Sequence, residues 1–339
     1  MKNHRNTALK LLAIAGVLLG GMGCTLRSEP MQVKDLPSWR DTDARERIID
    51  FVEVVTDPNS TQFVPPENRI ATFDNDGTLW CEKPIPPHFF GILARFQELT
   101  QEDPDLVKQE PFTSIGEFIE TQDPAALKLF IDEYHDGELL KVVGQLFGVP
   151  FANMNVDEYA EWYAQFYRDW EHPTLEKSIS GLTYQPMLEL LDYLRTREFQ
   201  VFIFSADEGA FLKLLSNELY GIPPNQAFGS TIKTQYREGE IIRTEDGEWL
   251  DNWQGKPEMI QAHIGKRPIF AAGNSNGDFH MLEYVHLQPG PHLSVMIHHT
   301  DEEREFAYDT HTDQLLPYAK KHDYLIVDMA EDWDRVFSE

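Results

Sequence analysis

The sequence predicts an α/β fold: a Rossmann-like parallel sheet with helices on both faces and a mainly helical insertion after its first strand. Three observations carry this prediction. Short continuous apolar runs alternate with stretches of helical spacing through the second half of the chain, the rhythm of a parallel sheet covered on both sides. An earlier run, Ile70-Ala71-Thr72-Phe73, has the composition of a buried parallel strand and leads into Asp74-Asn75-Asp76-Gly77-Thr78, where Gly77 supplies a turn. Between residues 84 and 180 the alternation stops, and helical spacing broken by proline-bearing loops replaces it.

Taken in order, the chain starts with a targeting segment. Lys2, His4 and Arg5 precede an apolar stretch from Ala8 to Met22 that is interrupted by Lys10 and is too short for a transmembrane span. It ends in Leu18-Leu19-Gly20-Gly21-Met22-Gly23-Cys24, which resembles a bacterial lipoprotein signal. The resemblance implies a signal peptide over residues 1–24 and lipidation at Cys24, although Gly21 and Met22 depart from the usual pattern. A secretory peptide or an uncleaved anchor are the alternatives, and all three place the protein outside the cytoplasm, in the periplasm or anchored to the envelope. Residues 25–40, polar with Pro30 and Pro37, are expected to form a tether.

Asp41 to Thr56 is expected to be a helix, capped by Asp41 or Thr42, with Ile48, Ile49, Phe51, Val52 and Val55 on its apolar face. The insertion, residues 84–180, should hold helices over Phe89–Leu99, Ser114–Glu120, Pro124–Phe147 and Val156–Trp170. Tyr159, Trp162, Tyr163, Phe166, Tyr167 and Trp170 form a stripe at helical spacing, best used for core packing. The core, residues 41–83 and 181–339, continues with helices over Gln185–Arg195, Gly209–Tyr220, Pro257–Ile264, Asp278–Tyr284 and Gln314–His322. Its strands are expected at Gln200–Ser205, Pro268–Ala272, Leu293–His298 and Tyr324–Val327, with a hairpin over Ile232–Thr244 turning near Arg237-Glu238-Gly239.

Composition narrows the function. At 41% hydrophobic and 12% aromatic residues the chain can bury a real core. A formal net charge of −28 argues against binding nucleic acid or an anionic membrane surface, leaving a lipid anchor as the membrane link. Any anionic substrate then needs a local cation. Two cysteines, Cys24 and Cys81, allow at most one disulfide, and none is expected; Cys81 reads as a small buried apolar residue.

The chemistry-bearing residues lie at strand ends. Asp74 and Asp76 follow the first strand, where one carboxylate can attack an electrophile and the second can move a proton. Ser205 ends the strand Val201-Phe202-Ile203-Phe204, Lys256 sits at a helix start in Gln254-Gly255-Lys256-Pro257, and a third strand runs into Gly273-Asn274-Ser275-Asn276-Gly277-Asp278. If these strands lie side by side, Asp74, Asp76, Ser205, Lys256, Asn274 and Asp278 share one crevice. A nucleophilic carboxylate, a hydroxyl and an ammonium for phosphate oxygens, and further oxygens for a Mg²⁺ are what phosphoryl transfer needs.

The order Asp-x-Asp-Gly-Thr, strand-end Ser, Lys, then Gly-Asn-Ser-x-x-Asp is similar to the haloacid dehalogenase (HAD) superfamily, and the insertion resembles its C1-type cap; the whole looks most like exported, phosphoserine-phosphatase-like members. The resemblance spans roughly residues 68 to 290. It implies a Mg²⁺-dependent phosphatase acting on small phosphate esters. Asp74 would be the nucleophile that forms an aspartyl-phosphate, and Asp76 the general acid and base. Ser205 and Lys256 would bind phosphoryl oxygens. Asp74, the Asp76 backbone carbonyl, Asn274 and Asp278 would hold the metal, with Thr78 supporting the loop.

Several residues keep competing uses. Lys266 and Arg267 are other candidate cations, and Asp278 could equally cap the helix that follows it. Asn274 stands where the family often has aspartate and brings no charge. Asp207 and Glu208 stand where relatives often have glycines, and are expected to face solvent. Glu82 could meet an ammonium group, pair with Lys83 or face water, and His298 and His299 read as strand-end residues. The rival functions are a HAD phosphotransferase or mutase, a dehalogenase, and a non-catalytic phosphate- or metal-binding envelope lipoprotein. Asp76 speaks against a dehalogenase, whose chemistry needs no acid there.

Overall fold

The computed structural model describes residues 35–121 and 137–338. The expected signal peptide, Cys24, most of the tether and part of the helix expected over Pro124–Phe147 lie outside the described residues. Among the described residues no helix is long and apolar enough to cross a membrane.

Seven strands, β1 (Ile70–Phe73), β2 (Gln200–Glu208), β3 (Ala227–Arg237), β4 (Glu240–Trp249), β5 (Phe270–Gly273), β6 (Leu293–His298) and β7 (Leu325–Asp328), form one sheet in the order β4-β3-β2-β1-β5-β6-β7. Every pairing is parallel except that of β3 with β4, the expected hairpin. All residues of β1 and β5 are buried, which is why these strands are continuous apolar runs and do not alternate. The chain lays β2 on one side of β1 and only later returns to lay β5 on the other. The strand order therefore reverses beside β1, and the crevice beyond the carboxyl ends at such a reversal is where open α/β sheets bind ligands.

The period of two along the strands feeds two hydrophobic cores. Ala71, Phe73, Ile203, Phe270, Ala272 and Val295 join one core with Ile48, Val52 and Val55 of α1 (Asp43–Thr56) and Leu190 and Leu194 of the helix Gln185–Thr196. Phe204, Ala271 and Met296 point the other way, to Met259 and Ile260 of the helix Gly255–His263 and Met281, Leu282 and Val285 of the helix Phe279–His286. Helices thus cover both faces, as the alternating pattern predicts.

Between β1 and β2 the chain forms α2 (Pro87–Glu102), α3 (Thr113–Thr121), α4 (Gly137–Gly148) and α5 (Val156–Arg168). The side chain of Asn155 caps α5 by accepting from the N–H groups of Asp157 and Glu158, and Glu158 reaches back to the Asn155 N–H. Of the aromatic stripe, Tyr159, Tyr163 and Tyr167 are buried, while Trp162, Phe166 and Trp170 are partly buried against them. The hairpin also belongs to this region. The N–H of Asn153 donates to the Arg243 carbonyl (3.0 Å) and the N–H of Arg243 donates to the Met154 carbonyl (2.9 Å).

Three elements differ from the sequence expectations. The end of the expected tether is packed: Leu36 and Trp39 are buried, and the Trp39 indole donates to the Pro186 carbonyl at 2.9 Å. Two apolar side chains in a polar stretch found a site on the core. The helix expected to start at Pro257 starts at Gly255, so Lys256 is inside its first turn. Strand β2 does not stop at Ser205. Ser205 pairs with Gly229 and Glu208 with Ser230, so Ala206 and Asp207 form a bulge between them.

Candidate functional site

Strand register puts the site residues at one end of the sheet. Phe73 is abreast of Ile203 on one side and Ala272 on the other, and the N–H of Asp74 donates to the Ala272 carbonyl at 2.9 Å. Asp74 therefore leaves β1 between the ends of β2, carrying Ser205, and β5, leading to Asn274. After Asp74 the chain turns tightly. The N–H groups of Thr78 and Leu79 donate to the Asn75 carbonyl (3.1 and 2.8 Å), and the N–H of Gly77 donates to the Trp80 carbonyl (3.0 Å).

Gly77 has φ +67° in this turn, and a Cβ there would lie 1.9 Å from Asn274 Nδ2. The missing side chain thus serves both the left-handed backbone and the approach of Asn274 to the loop. Gly273 plays the matching part on β5, since a Cβ on it would collide with the Asp278 carboxylate, 2.4 Å from Cγ.

Lys256 is the centre of the crevice. Its buried ammonium donates to Asp74 Oδ1 and to Asp278 Oδ1, each at 2.6 Å. The second Asp278 oxygen accepts the N–H groups of Asn274 (2.9 Å) and Ser275 (3.1 Å). Capping and site contact, set against each other by the sequence, coexist in this one carboxylate. Asp74 Oδ2 accepts no hydrogen bond from the described residues, so Lys256 holds one oxygen of this carboxylate and leaves the other unengaged. Lys266 lies elsewhere, on the Glu67 carbonyl and Asn68. Burial opposes the Lys256 charge, yet Asp278, Asp74 and Asp251 together outweigh it and hold its pKa above the ordinary value.

The remaining carboxylates are poorly balanced. Burial, then the charge of Asp278, pushes the Asp74 pKa well up against the pull of Lys256. Asp76, partly exposed, is raised by burial and by the charges of Asp207 and Glu82, while the Trp80 indole donates to its Oδ1 at 2.7 Å. Asp251, which sequence reasoning missed, is fully buried with both oxygens unpaired; it faces the Ser205 backbone without a formed hydrogen bond. Burial raises its pKa to about 7, with Lys256 pulling the other way. Its signal in the sequence was slight, an aspartate shortly before the motif lysine.

These groups suit a hard divalent cation. The available donors are all oxygens, from Asp74, Asp278, the Asn274 amide and the Asp76 backbone, and buried carboxylates outnumber the one ammonium. Among the described residues no group of three or more His, Cys, Asp or Glu side chains stands ready-made as a metal site, and Lys256 takes one oxygen from each of Asp74 and Asp278. Asn274 is turned by its amide N–H toward Glu82 Oε1 (3.2 Å), which also accepts from the Tyr308 hydroxyl (2.7 Å) and sits 3.7 Å from Lys83 Nζ. Glu82 thus braces Asn274. His299 braces the loop from below, its Nε2 2.7 Å from the Gly77 carbonyl. Thr78 is buried with its hydroxyl unpaired and supports the turn by packing.

Ser205 is buried at the end of the regular pairing, and its Oγ accepts the Asp207 N–H at 3.2 Å. The expectation that Asp207 and Glu208 face solvent is overturned, since both are buried. Asp207 Oδ1 shares a hydrogen bond with His88 Nδ1 and accepts the Glu208 N–H at 2.7 Å. Glu208 accepts from Arg243 (2.5 Å) and from the Tyr159 hydroxyl (2.8 Å). Partners from distant segments offset part of the cost of burial, while Asp207 Oδ2 stays unpaired among the described residues and burial pushes the Asp207 pKa well up.

No protein-family profile matches the chain, and no curated protein matches it in sequence. Solved structures do. A conserved protein of unknown function from Anaerococcus prevotii is 16% identical over 84% of this chain and 91% of its own, with a TM-score of 0.49. Cytosolic 5′-nucleotidase IIIB bound to cytidine is 16% identical over 87% and 89%, with a TM-score of 0.48. A HAD family hydrolase from Salmonella enterica serovar Typhi is 15% identical over 79% and 69%, with a TM-score of 0.44. Likeness at this level does not fix chemistry, which the crevice itself must supply.

Proposed function

We propose that this chain is an exported, Mg²⁺-dependent phosphomonoesterase of the HAD type acting on small phosphate esters. The observation that carries the reading is the Lys256 ammonium, buried and 2.6 Å from both Asp74 and Asp278. A carboxylate nucleophile, a fixed cation and a second carboxylate, from three separate elements, meet where a parallel sheet binds ligands.

Asp74 attacks phosphorus through Oδ2, forming an aspartyl-phosphate as the ester oxygen departs. The raised pKa of Asp76 suits a carboxyl group that gives its proton to that oxygen and then takes one from the incoming water. Ser205 and Lys256 hold the phosphoryl oxygens. Asp74, the Asp76 backbone carbonyl, Asn274 and Asp278 would hold Mg²⁺, with Lys256 shifting from the carboxylates to the phosphoryl group. When bound, the metal supplies positive charge where one anion approaches another.

The test is release of inorganic phosphate from p-nitrophenyl phosphate with and without Mg²⁺. Asp74→Asn should abolish turnover, and Asp76→Asn should lower it by about 10²–10⁴-fold. Full activity in both variants would sink the proposal.

A further inference from the structure

The bulge that follows Ser205 is held by side chains from β3, from the hairpin strand β4 and from the helical insertion. Regular pairing lapses between Ser205 and Glu208, so the backbone ladder does not fix Ala206 and Asp207. Within the core, Ser230 Oγ donates to the Ala206 carbonyl at 2.7 Å. The other fixing contacts come from the helical insertion and the hairpin. His88, in the first turn of α2, meets Asp207, and its ring stacks on Phe211 with centroids 4.0 Å apart. Tyr159 of α5 and Arg243 of β4 both donate to Glu208. Arg243 also donates to the Phe147 carbonyl at the end of α4 (3.0 Å), and its guanidinium lies 4.0 Å from the Tyr159 ring centroid.

We propose that Arg243, Tyr159 and His88 are positioning residues that couple the seating of the helical insertion to phosphate binding at Ser205, through the buried pair Asp207–Glu208. This rests on the reading of Ser205 and Lys256 as phosphate-binding residues. The physical reason is continuity. Unseating the insertion strips Glu208 of Tyr159 and Asp207 of His88, and takes from Arg243 the Phe147 carbonyl that anchors it, leaving two buried carboxylates short of partners on the segment that presents Ser205. That segment then relaxes, and phosphate loses an ordered partner. Linkage is reciprocal, so phosphate held at Ser205 must favour the seated insertion by the same factor. None of the three residues makes a hydrogen bond or ion pair with Asp74, Lys256 or Ser205 among the described residues, which separates positioning from direct binding.

The test uses the full chain with Mg²⁺ and inorganic phosphate as the probe. Phosphate affinity is measured by calorimetry and hydrogen exchange is followed by mass spectrometry. In the wild type, phosphate should slow exchange both at 204–209 and in α2 and α5. Arg243→Met should weaken phosphate about tenfold and speed exchange in both regions, while Tyr159→Phe, a milder change that guards against misfolding, should weaken it about threefold. Adding Glu208→Gln to Arg243→Met neutralises the stranded carboxylate and keeps an acceptor for Tyr159, so affinity should recover to within about threefold. Phosphate-dependent protection that reaches α2 and α5 in the wild type and is lost in Arg243→Met is what a merely destabilised fold would not show. Unchanged phosphate affinity in folded Arg243→Met and Tyr159→Phe overturns the coupling, as does wild-type protection confined to 204–209. Absence of phosphate binding in the wild type overturns the phosphate site and the coupling together.

Discussion

Replacing Lys256 by methionine is the sharpest perturbation of the crevice. It removes the ammonium that lies 2.6 Å from both Asp74 and Asp278 and keeps most of the aliphatic bulk. Asp74 is 6% exposed and Asp278 is fully buried, so two carboxylates are left facing each other without a cation. Removing one partner of a buried ion pair costs about 3–5 kcal/mol. For a chain of this size that is roughly 6–15 °C in melting temperature, at about 2–3 °C per kcal/mol. The loss must depend on pH in a definite direction. Without Lys256 the folded-state pKa of Asp74, already raised by burial and by the charge of Asp278, rises further above its unfolded value. Protonation then relieves the repulsion at low pH, and the loss grows as pH rises beyond the unfolded carboxylate range. The assay is thermal unfolding of wild type and Lys256→Met between pH 5 and pH 8, with and without Mg²⁺. The deficit should be larger at pH 8, and Mg²⁺ should recover part of it by supplying the missing charge. A variant as stable as wild type at pH 8, or a deficit that grows as pH falls, would refute the electrostatic account of the site.

Three further predictions test its surroundings. Asp251 is buried, unpaired and raised to about 7, so its ionisation should erode stability as pH rises from the ordinary carboxylate range through neutrality; Asp251→Asn should flatten that loss in unfolding curves. Gly77→Ala places a Cβ 1.9 Å from Asn274 Nδ2 on a backbone at φ +67°; Asn274 must move, at a cost of about 1–3 kcal/mol in stability, and titrations of activity should need more Mg²⁺. Export through lipidation at Cys24 predicts that globomycin blocks processing and that Cys24→Ala is not processed; normal processing of the variant, followed by its mass, would remove the lipoprotein reading.

Much of the fold and the core of the candidate site could be read because the governing signals are local. Ile70–Phe73 and Phe270–Gly273 are buried on both faces, so their apolar runs are unbroken, and polar residues stand directly at their ends. Asp74 and Asn274 are therefore legible as polar residues at the ends of apolar runs, and Lys256 and Asp278 as residues at helix starts, with the motif order suggesting that they belong together. Asp207 and Glu208 could not be placed that way. Their positions depend on partners 119 residues away at His88, 49 at Tyr159 and 35 at Arg243. Without those partners in view, two adjacent carboxylates belong in water, since burying either alone is prohibitive.

The same locality explains Asp251. Neither helical nor strand spacing runs through Leu250-Asp251-Asn252, and only the turn from β4 back to the helix of Lys256 brings its carboxylate into the field of Asp74 and Asp278. The residues that could not be read share a property: each is a buried carboxyl group whose surroundings are supplied by other segments. Such residues report how elements are assembled, whereas Asp74, Asp76 and Lys256 carry the chemistry proposed for the assembled crevice. A buried carboxylate pair joined to the strand of Ser205 and held from the insertion and the hairpin is thus better explained by coordination between these elements than by reaction at the pair itself.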